Sequence, residues 1–269
     1  MTQQADQMMP VLFLSHGSPT MPFDNVPARD FLMRLGSRLP RPQAILCVSA
    51  HWEAALPSIT ASRAPATIHD FHGFPDALYD LQYDVPGDPE LAARIAAMLE
   101  AGGINALQNS ERGLDHGAWS PLMLIYPQSD IPVLQLSLIQ RGSPLDHIAV
   151  GRLLASLRRE GILLVASGGA VHNLRAVEWN GRAAPPDWAQ DFDCWLQAAI
   201  ASGDLGVLAD YRRQSAAAPL AHPTEEHLMP VFVALGAAAG TADKAPGRQI
   251  HASFTFGSLG MAAYAWGLD

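Results

Sequence analysis

Val11-Leu12-Phe13-Leu14-Ser15-His16-Gly17 is an unbroken apolar run that ends in a hydroxyl, an imidazole and a glycine. A strand with one wet face alternates apolar and polar residues, whereas a run without alternation reads as a strand buried on both faces of a parallel sheet. Two later stretches repeat the pattern: Ile45-Leu46-Cys47-Val48-Ser49-Ala50-His51-Trp52, and Ile162-Leu163-Leu164-Val165-Ala166-Ser167-Gly168 followed by Gly169-Ala170-Val171-His172. In open α/β sheets, ligands and reacting groups gather beyond the strand ends. Neutral imidazole is the commonest protein metal ligand. Three strands that each deliver a histidine to one edge therefore predict a metal site.

Outward from these runs, strands are expected at 11–15, 44–50, 131–137, 162–167 and 251–256. Helices are expected at 27–38, 89–101, 117–126, 144–160 and 187–202, with a short one at 225–236 interrupted or restarted near Pro230. Strand and helix alternate, which predicts an α/β fold: a mainly parallel central sheet flanked by helices on both faces. The Pro- and Gly-containing stretch 180–187 does not divide the chain, so a single domain over residues 1–269 is expected, with 1–9 as a flexible N-terminus.

The chain has 269 residues, 49% of them hydrophobic and 16% charged, the balance of a well-packed globular body. A net charge of −9 argues against a nucleic-acid partner. No apolar stretch is long enough to span a membrane, and the polar first ten residues lack a secretory signal pattern. Two distant cysteines, Cys47 and Cys194, suit a reducing compartment, so a cytoplasmic protein is expected. Oligomeric state is not readable.

Further histidines lie in loops. Asp115-His116-Gly117-Ala118-Trp119 and Ile68-His69-Asp70-Phe71-His72-Gly73-Phe74-Pro75 set aromatics beside polar groups, as in pockets for flat ligands; His69 and Trp119 are candidate lining. His222-Pro223-Thr224-Glu225-Glu226-His227 is dense in ligand types, though only one or two can face a common site. His147 and His251 read as structural. The His-Glu-x-x-His motif, paired cysteines and a phosphate-binding G-x-x-x-x-G-K are all missing, and neither Ser15 nor Ser49 sits in a G-x-S-x-G elbow.

Taken in order, Phe13 to Pro19, Val48 to Trp52, His69 to Phe71 with Gly73-Phe74-Pro75, Leu114 to Trp119, Ala166 to Gly168 with Val171 to Leu174, and Pro223-Thr224 with Glu226-His227 resemble the class III extradiol ring-cleavage dioxygenases, specifically the 4,5-DOPA dioxygenase extradiol-like family. The resemblance runs from about residue 11 to Leu259. It implies a divalent metal, iron(II) for activity with zinc able to occupy the same site, held by His16, His51 and His227. Glu225, Glu226 and His222 stay open as alternatives for the third position. His172 matches the acid–base residue, with a role as a further ligand also open, and a pKa near neutrality would suit it. His116 matches a residue that touches substrate or oxygen. The implied partners are a small aromatic diol, such as DOPA, and O2, and the product is a muconic semialdehyde. Two other functions fit the same residues: a metal-dependent hydrolase on this scaffold, and a non-enzymatic interaction protein.

Overall fold

A computed structural model describes residues 8–181 and 183–268. The central sheet has eight strands: β1 Val11–Ser15, β2 Ala44–Ala54, β3 Ser58–Thr60, β4 Leu107–Asn109, β5 Val133–Ile139, β6 Ile162–Gly168, β7 Arg248–His251 and β10 Ala263–Trp266, in the order β4-β3-β5-β2-β6-β1-β10-β7. The four central strands β5, β2, β6 and β1 run parallel, while β10 and β7 close one edge antiparallel. A separate two-stranded ribbon joins β8 Phe254–Thr255 to β9 Leu259–Gly260.

The unbroken apolar runs are explained by two cores. In β1, Val11 and Phe13 belong to one core and Leu12 and Leu14 to the other, all with 0% exposure. On the first face pack α2 (Pro89–Ala101), α4 (Pro144–Leu154), α5 (Asp187–Ser202) and α9 (Met229–Ala239), joined by the short helices α6 (Leu205–Ala209), α7 (Tyr211–Gln214) and α8 (Ala218–Ala221). On the second face pack α1 (Pro27–Leu35) and α3 (His116–Ile125). Truncating a side chain sealed this way, such as Phe13, costs about 3–5 kcal/mol. Helix starts follow local chemistry. Asp88 accepts from the Leu91 N–H at the start of α2, and Ser143 with Asp146 forms a reciprocal cap on α4.

Several boundaries move. The expected strand 44–50 continues to Ala54, and 131–137 becomes Val133–Ile139. The expected strand 251–256 is replaced by β7, a break, and β8. β3, β4 and β10 were not read; Ala263-Tyr264-Ala265-Trp266 has no branched aliphatic residue, and only pairing with β1 and β7 makes it a strand. The helix expected at 225–236 starts at Met229, because Pro230 fits a first turn, where no N–H is needed. Residues 1–7 of the stretch expected to be flexible lie outside the described residues; Met9 is buried, and its N–H donates to the Arg158 carbonyl at 2.9 Å. Among the described residues, no helix is long and apolar enough to cross a membrane.

Candidate metal centre and aromatic pocket

The histidines meet because the strands before them are neighbours. Ser15 of β1 pairs with Gly168 of β6, and Ser49 of β2 pairs with Ser167. His16 follows directly, and His172 follows the turn after β6. His51 sits where β2 slips against β5: Val48 lies opposite Leu136 but Glu53 lies opposite Leu138. This irregularity turns His51 out of the ladder, as bulges beside functional sites do. His116 is the first residue of α3, and His227 lies in the turn just before α9.

Two glycines allow the close approach. A Cβ on Gly117 would stand 2.4 Å from Ser49 Oγ and 3.0 Å from His51 Cδ2. A Cβ on Gly168 would stand 2.1 Å from the His227 carbonyl oxygen. Any larger residue at either position would push a site histidine away.

The Nε2 atoms of His16 and His51 are 3.0 Å apart. The His227 ring lies 5.4 Å from that of His16 and 4.9 Å from that of His51. His116 is 4.0 Å from His51, and His172 stacks on His227 at 3.5 Å with planes 7° apart. Ligand-type atoms of His16, His51 and His116 lie within 4.8 Å of one another, as do those of His172, Glu226 and His227.

The hydrogen bonds behind the rings assign their protons. The Ser167 hydroxyl gives its only proton to the Gly117 carbonyl, so at 3.0 Å it accepts from His16 Nδ1–H. Glu226 accepts from His227 Nδ1–H at 3.0 Å, and Asp70 accepts from His116 Nδ1–H at 2.9 Å. In His16 and His227, Nε2 keeps its lone pair. His51 Nδ1 faces the other Asp70 oxygen at 3.5 Å. Burial, then neighbouring imidazoles, pushes His16 and His227 well below the usual histidine range. Burial likewise lowers His51 to about 3. All three are therefore neutral at neutral pH, as ligands must be. Asp70 stays ionised: burial raises its pKa, but the His116 hydrogen bonds outweigh that and bring it to about 2. The donor set fits a divalent metal. Two neighbouring nitrogens bound at about 2.1 Å to one ion lie about 3.0–3.4 Å apart, and each ring is braced from behind as ligating imidazoles are.

Two of the alternatives for the third position, Glu225 and His222, are engaged by other partners. Glu225 accepts from Tyr211 Oη at 3.0 Å and pairs with Arg212. His222 Nε2 donates to the Ala170 carbonyl at 3.0 Å. Glu226 accepts from His227 Nδ1–H, and one of its carboxylate oxygens also lies within 4.8 Å of a His172 nitrogen. The near-neutral pKa expected for His172 is corrected: burial lowers it to about 4.

Beside the cluster lies a cavity of about 200 Å³ that reaches His51, His116, His172 and His227 and has walls of Phe71, Phe74, Leu174, Trp179 and Leu259. The expectation that His69 and Trp119 line the pocket is corrected. Trp119 is 0% exposed and donates from Nε1 to the Ile68 carbonyl, and His69 is tied to the Leu81 carbonyl at 3.0 Å. Both rings instead back Phe71, from 6.4 and 5.7 Å. Sequence reading missed Asp70, Ser167, Leu174 and Trp179. Asp70 had a signal, a carboxylate between a histidine and a phenylalanine in a pocket-like loop; the others had none.

An open α/β sheet whose strand ends hold buried neutral imidazoles beside a small aromatic cavity is the architecture of a metal-dependent enzyme for a flat ligand. Residues 10–265 match the family described as the catalytic LigB subunit of aromatic ring-opening dioxygenase. The chain is 44% identical to 4,5-DOPA dioxygenase extradiol of Escherichia coli K12 over 85% of each protein. It is 40% identical to the Beta vulgaris protein of the same name, over 96% of this chain and 97% of that one. The crystal structure of an uncharacterized Escherichia coli K12 protein matches with a TM-score of 0.80 and 38% identity, covering 96% of this chain and 99% of that one. The chain therefore belongs to the LigB family of aromatic ring-opening dioxygenases and is an extradiol-type oxidoreductase. That membership decides against the hydrolase and the interaction protein.

Proposed function

We propose that this enzyme opens the ring of a small catechol beside its two hydroxyls, DOPA being the first candidate substrate, with O2 as co-substrate and a muconic semialdehyde as product. The observation that carries the reading is the convergence of the His16, His51 and His227 rings, with the Nε2 lone pairs of His16 and His227 left open by their Nδ1 hydrogen bonds, next to an aromatic-walled cavity. A volume of about 200 Å³ suits a single substituted ring. His16, His51 and His227 hold the metal, iron(II) in the active enzyme, with zinc able to take the same place. Bound there, the metal would supply Lewis acidity toward the catechol hydroxyls and relieve the spin mismatch between the ring and O2.

The remaining chemistry belongs to the side chains. His172, neutral at neutral pH, accepts a proton from a catechol hydroxyl and later returns it to the product oxygen. His116 is held by Asp70 at Nδ1, which leaves Nε2 as its free nitrogen toward substrate or oxygen. Phe71, Phe74 and Leu259 offer faces for the ring and keep water from it. A cytoplasmic location accords with the free cysteines Cys47 and Cys194.

The test is anaerobic reconstitution with iron(II), then addition of air and a panel of catechols, following oxygen uptake and visible absorbance. DOPA or a close catechol is expected to consume O2 and give a yellow product. His172→Ala is expected to keep its iron and lose turnover, whereas His227→Ala loses the iron. No oxygen uptake with any catechol by fully iron-loaded protein would end the proposal.

A further inference from the structure

His222 takes no part in the imidazole cluster or the cavity. Its ring is 0% exposed and lies edge-on to Phe192, with centroids 5.2 Å apart. Because a carbonyl can only accept, its 3.0 Å contact with the Ala170 oxygen places the proton on Nε2 and the lone pair on Nδ1. That buried Nδ1 has no hydrogen-bond partner among the described residues. A buried acceptor without a partner forfeits its hydration and gains nothing back. For packing alone, a methionine or leucine would serve better. What the imidazole brings is its Nε2–H on the Ala170 carbonyl.

That carbonyl stands two residues before His172. Two more bonds link the same two segments: His172 N–H donates to the Ala221 carbonyl at 2.9 Å, and Asn173 Nδ2 donates to the Leu220 carbonyl at 2.7 Å. Residues 220–222 thus grip 170–173 at three points in succession. The gripping segment is itself tied down, since Arg212 Nη2 donates to the His222 carbonyl at 3.0 Å and Arg212 also pairs with Glu225. On the other side, Ala170 N–H donates to Ser15 Oγ and Gly169 N–H to the His227 carbonyl, each at 2.9 Å.

We propose that His222 is a positioning residue: by holding the Ala170 carbonyl it sets the direction from which His172 meets the substrate, without touching substrate itself. The inference rests on the reading of His172 as the proton-transferring group. Small displacements of such a group are costly, on the order of a hundredfold in rate for about 1 Å.

The experiment compares His222→Met, which fills the space without a donor, with His222→Gln, whose amide can restore one. Iron content, KM and kcat for DOPA are measured on the iron-loaded proteins, and hydrogen exchange of residues 170–173 on the metal-free ones. His222→Met is expected to retain its iron and its KM, to lose at least about tenfold in kcat, and to exchange faster across 170–173. His222→Gln is expected to recover most of both losses. An unchanged kcat in His222→Met, or a Gln variant as impaired as the Met variant, would overturn the assignment. Should His222→Met fail to fold, Asn173→Ala removes the neighbouring bond to Leu220 and must show the same kcat and exchange pattern; normal behaviour there also overturns it. His172→Ala, run alongside, separates the two readings. Full turnover in His172→Ala defeats the acid–base assignment itself, whereas lost turnover in His172→Ala beside normal turnover in His222→Met defeats only the positioning role.

Discussion

His147 and His227 are both buried, at 1% and 6% exposure, and burial lowers the pKa of both, yet they do different work. His147 engages both ring nitrogens with backbone: Nδ1–H donates to the Ser143 carbonyl at 2.8 Å, and Nε2 accepts from the Ile139 N–H at 3.2 Å. It splices the start of α4 to the end of β5. His227 engages only Nδ1, on Glu226, and its Nε2 remains free beside the rings of His16 and His51. Burial and a lowered pKa therefore do not mark a ligand. What separates the two is a ring nitrogen that engages no backbone group, with the rings of His16 and His51 beside it.

The sharpest way to break this contrast is metal binding. His16→Ala removes a lone pair from the cluster and is expected to weaken iron(II) binding by at least about a hundredfold, more than loss of an outer partner would. His147→Leu is expected to leave iron per folded chain unchanged. Iron measured by mass spectrometry after dialysis decides, and equal loss in both would erase the distinction.

A smaller effect is expected one shell out. Asp70 contacts two imidazoles at once, at 2.9 Å on His116 and 3.5 Å on His51. Asp70→Asn should cost about 10–100-fold in metal affinity. Competition with a chelating dye measures it, and an affinity within twofold of the parent chain would show that the carboxylate merely fills space.

Stability should rank the two histidines in reverse. His147→Leu strands the Ile139 N–H and leaves the Ser143 carbonyl with only the residue-147 backbone N–H, and is expected to cost about 1–3 kcal/mol in urea unfolding. The metal-free His16→Ala chain loses less, because its Nε2 engages no backbone group. If His16→Ala proved the more destabilised, the site would be part of the core rather than a cavity lined by it.

Asp193 isolates burial by itself. Its Oδ1 has no partner among the described residues, and burial raises its pKa to about 6. Since the folded value lies above the unfolded one, its contribution is complete only where the proton stays on in both states, below about pH 3.8, and is lost as pH rises through 6. Asp193→Asn is thus expected to stabilise the chain by about 1–3 kcal/mol at pH 8, with the gain shrinking as pH falls below 6. A gain independent of pH would point to packing instead of charge.

Much of this was legible in the residues. The runs at Val11, Ile45 and Ile162 announce strands buried on both faces, and each leads into a site histidine, because a parallel strand must end where its chain turns away. His116 and His227 were reachable through motif order. The supporting shell was not. Ser167 looks like any strand serine until its hydroxyl is seen between Gly117 and His16. Trp119 looks like pocket lining until α3 turns it inward, and Ala263-Tyr264-Ala265-Trp266 becomes a strand only against β1.

The amino-acid order by itself determined which segments are sealed from water on both sides and which residue types stand at their ends, because apolar burial and turn chemistry act over a few neighbouring residues. Only the tertiary structure decided which nitrogen of each imidazole is left unengaged and which aromatic faces the cavity. Those choices depend on partners contributed by strands and helices far apart in the chain, such as Ser167 for His16, Asp70 for His116 and Ala170 for His222.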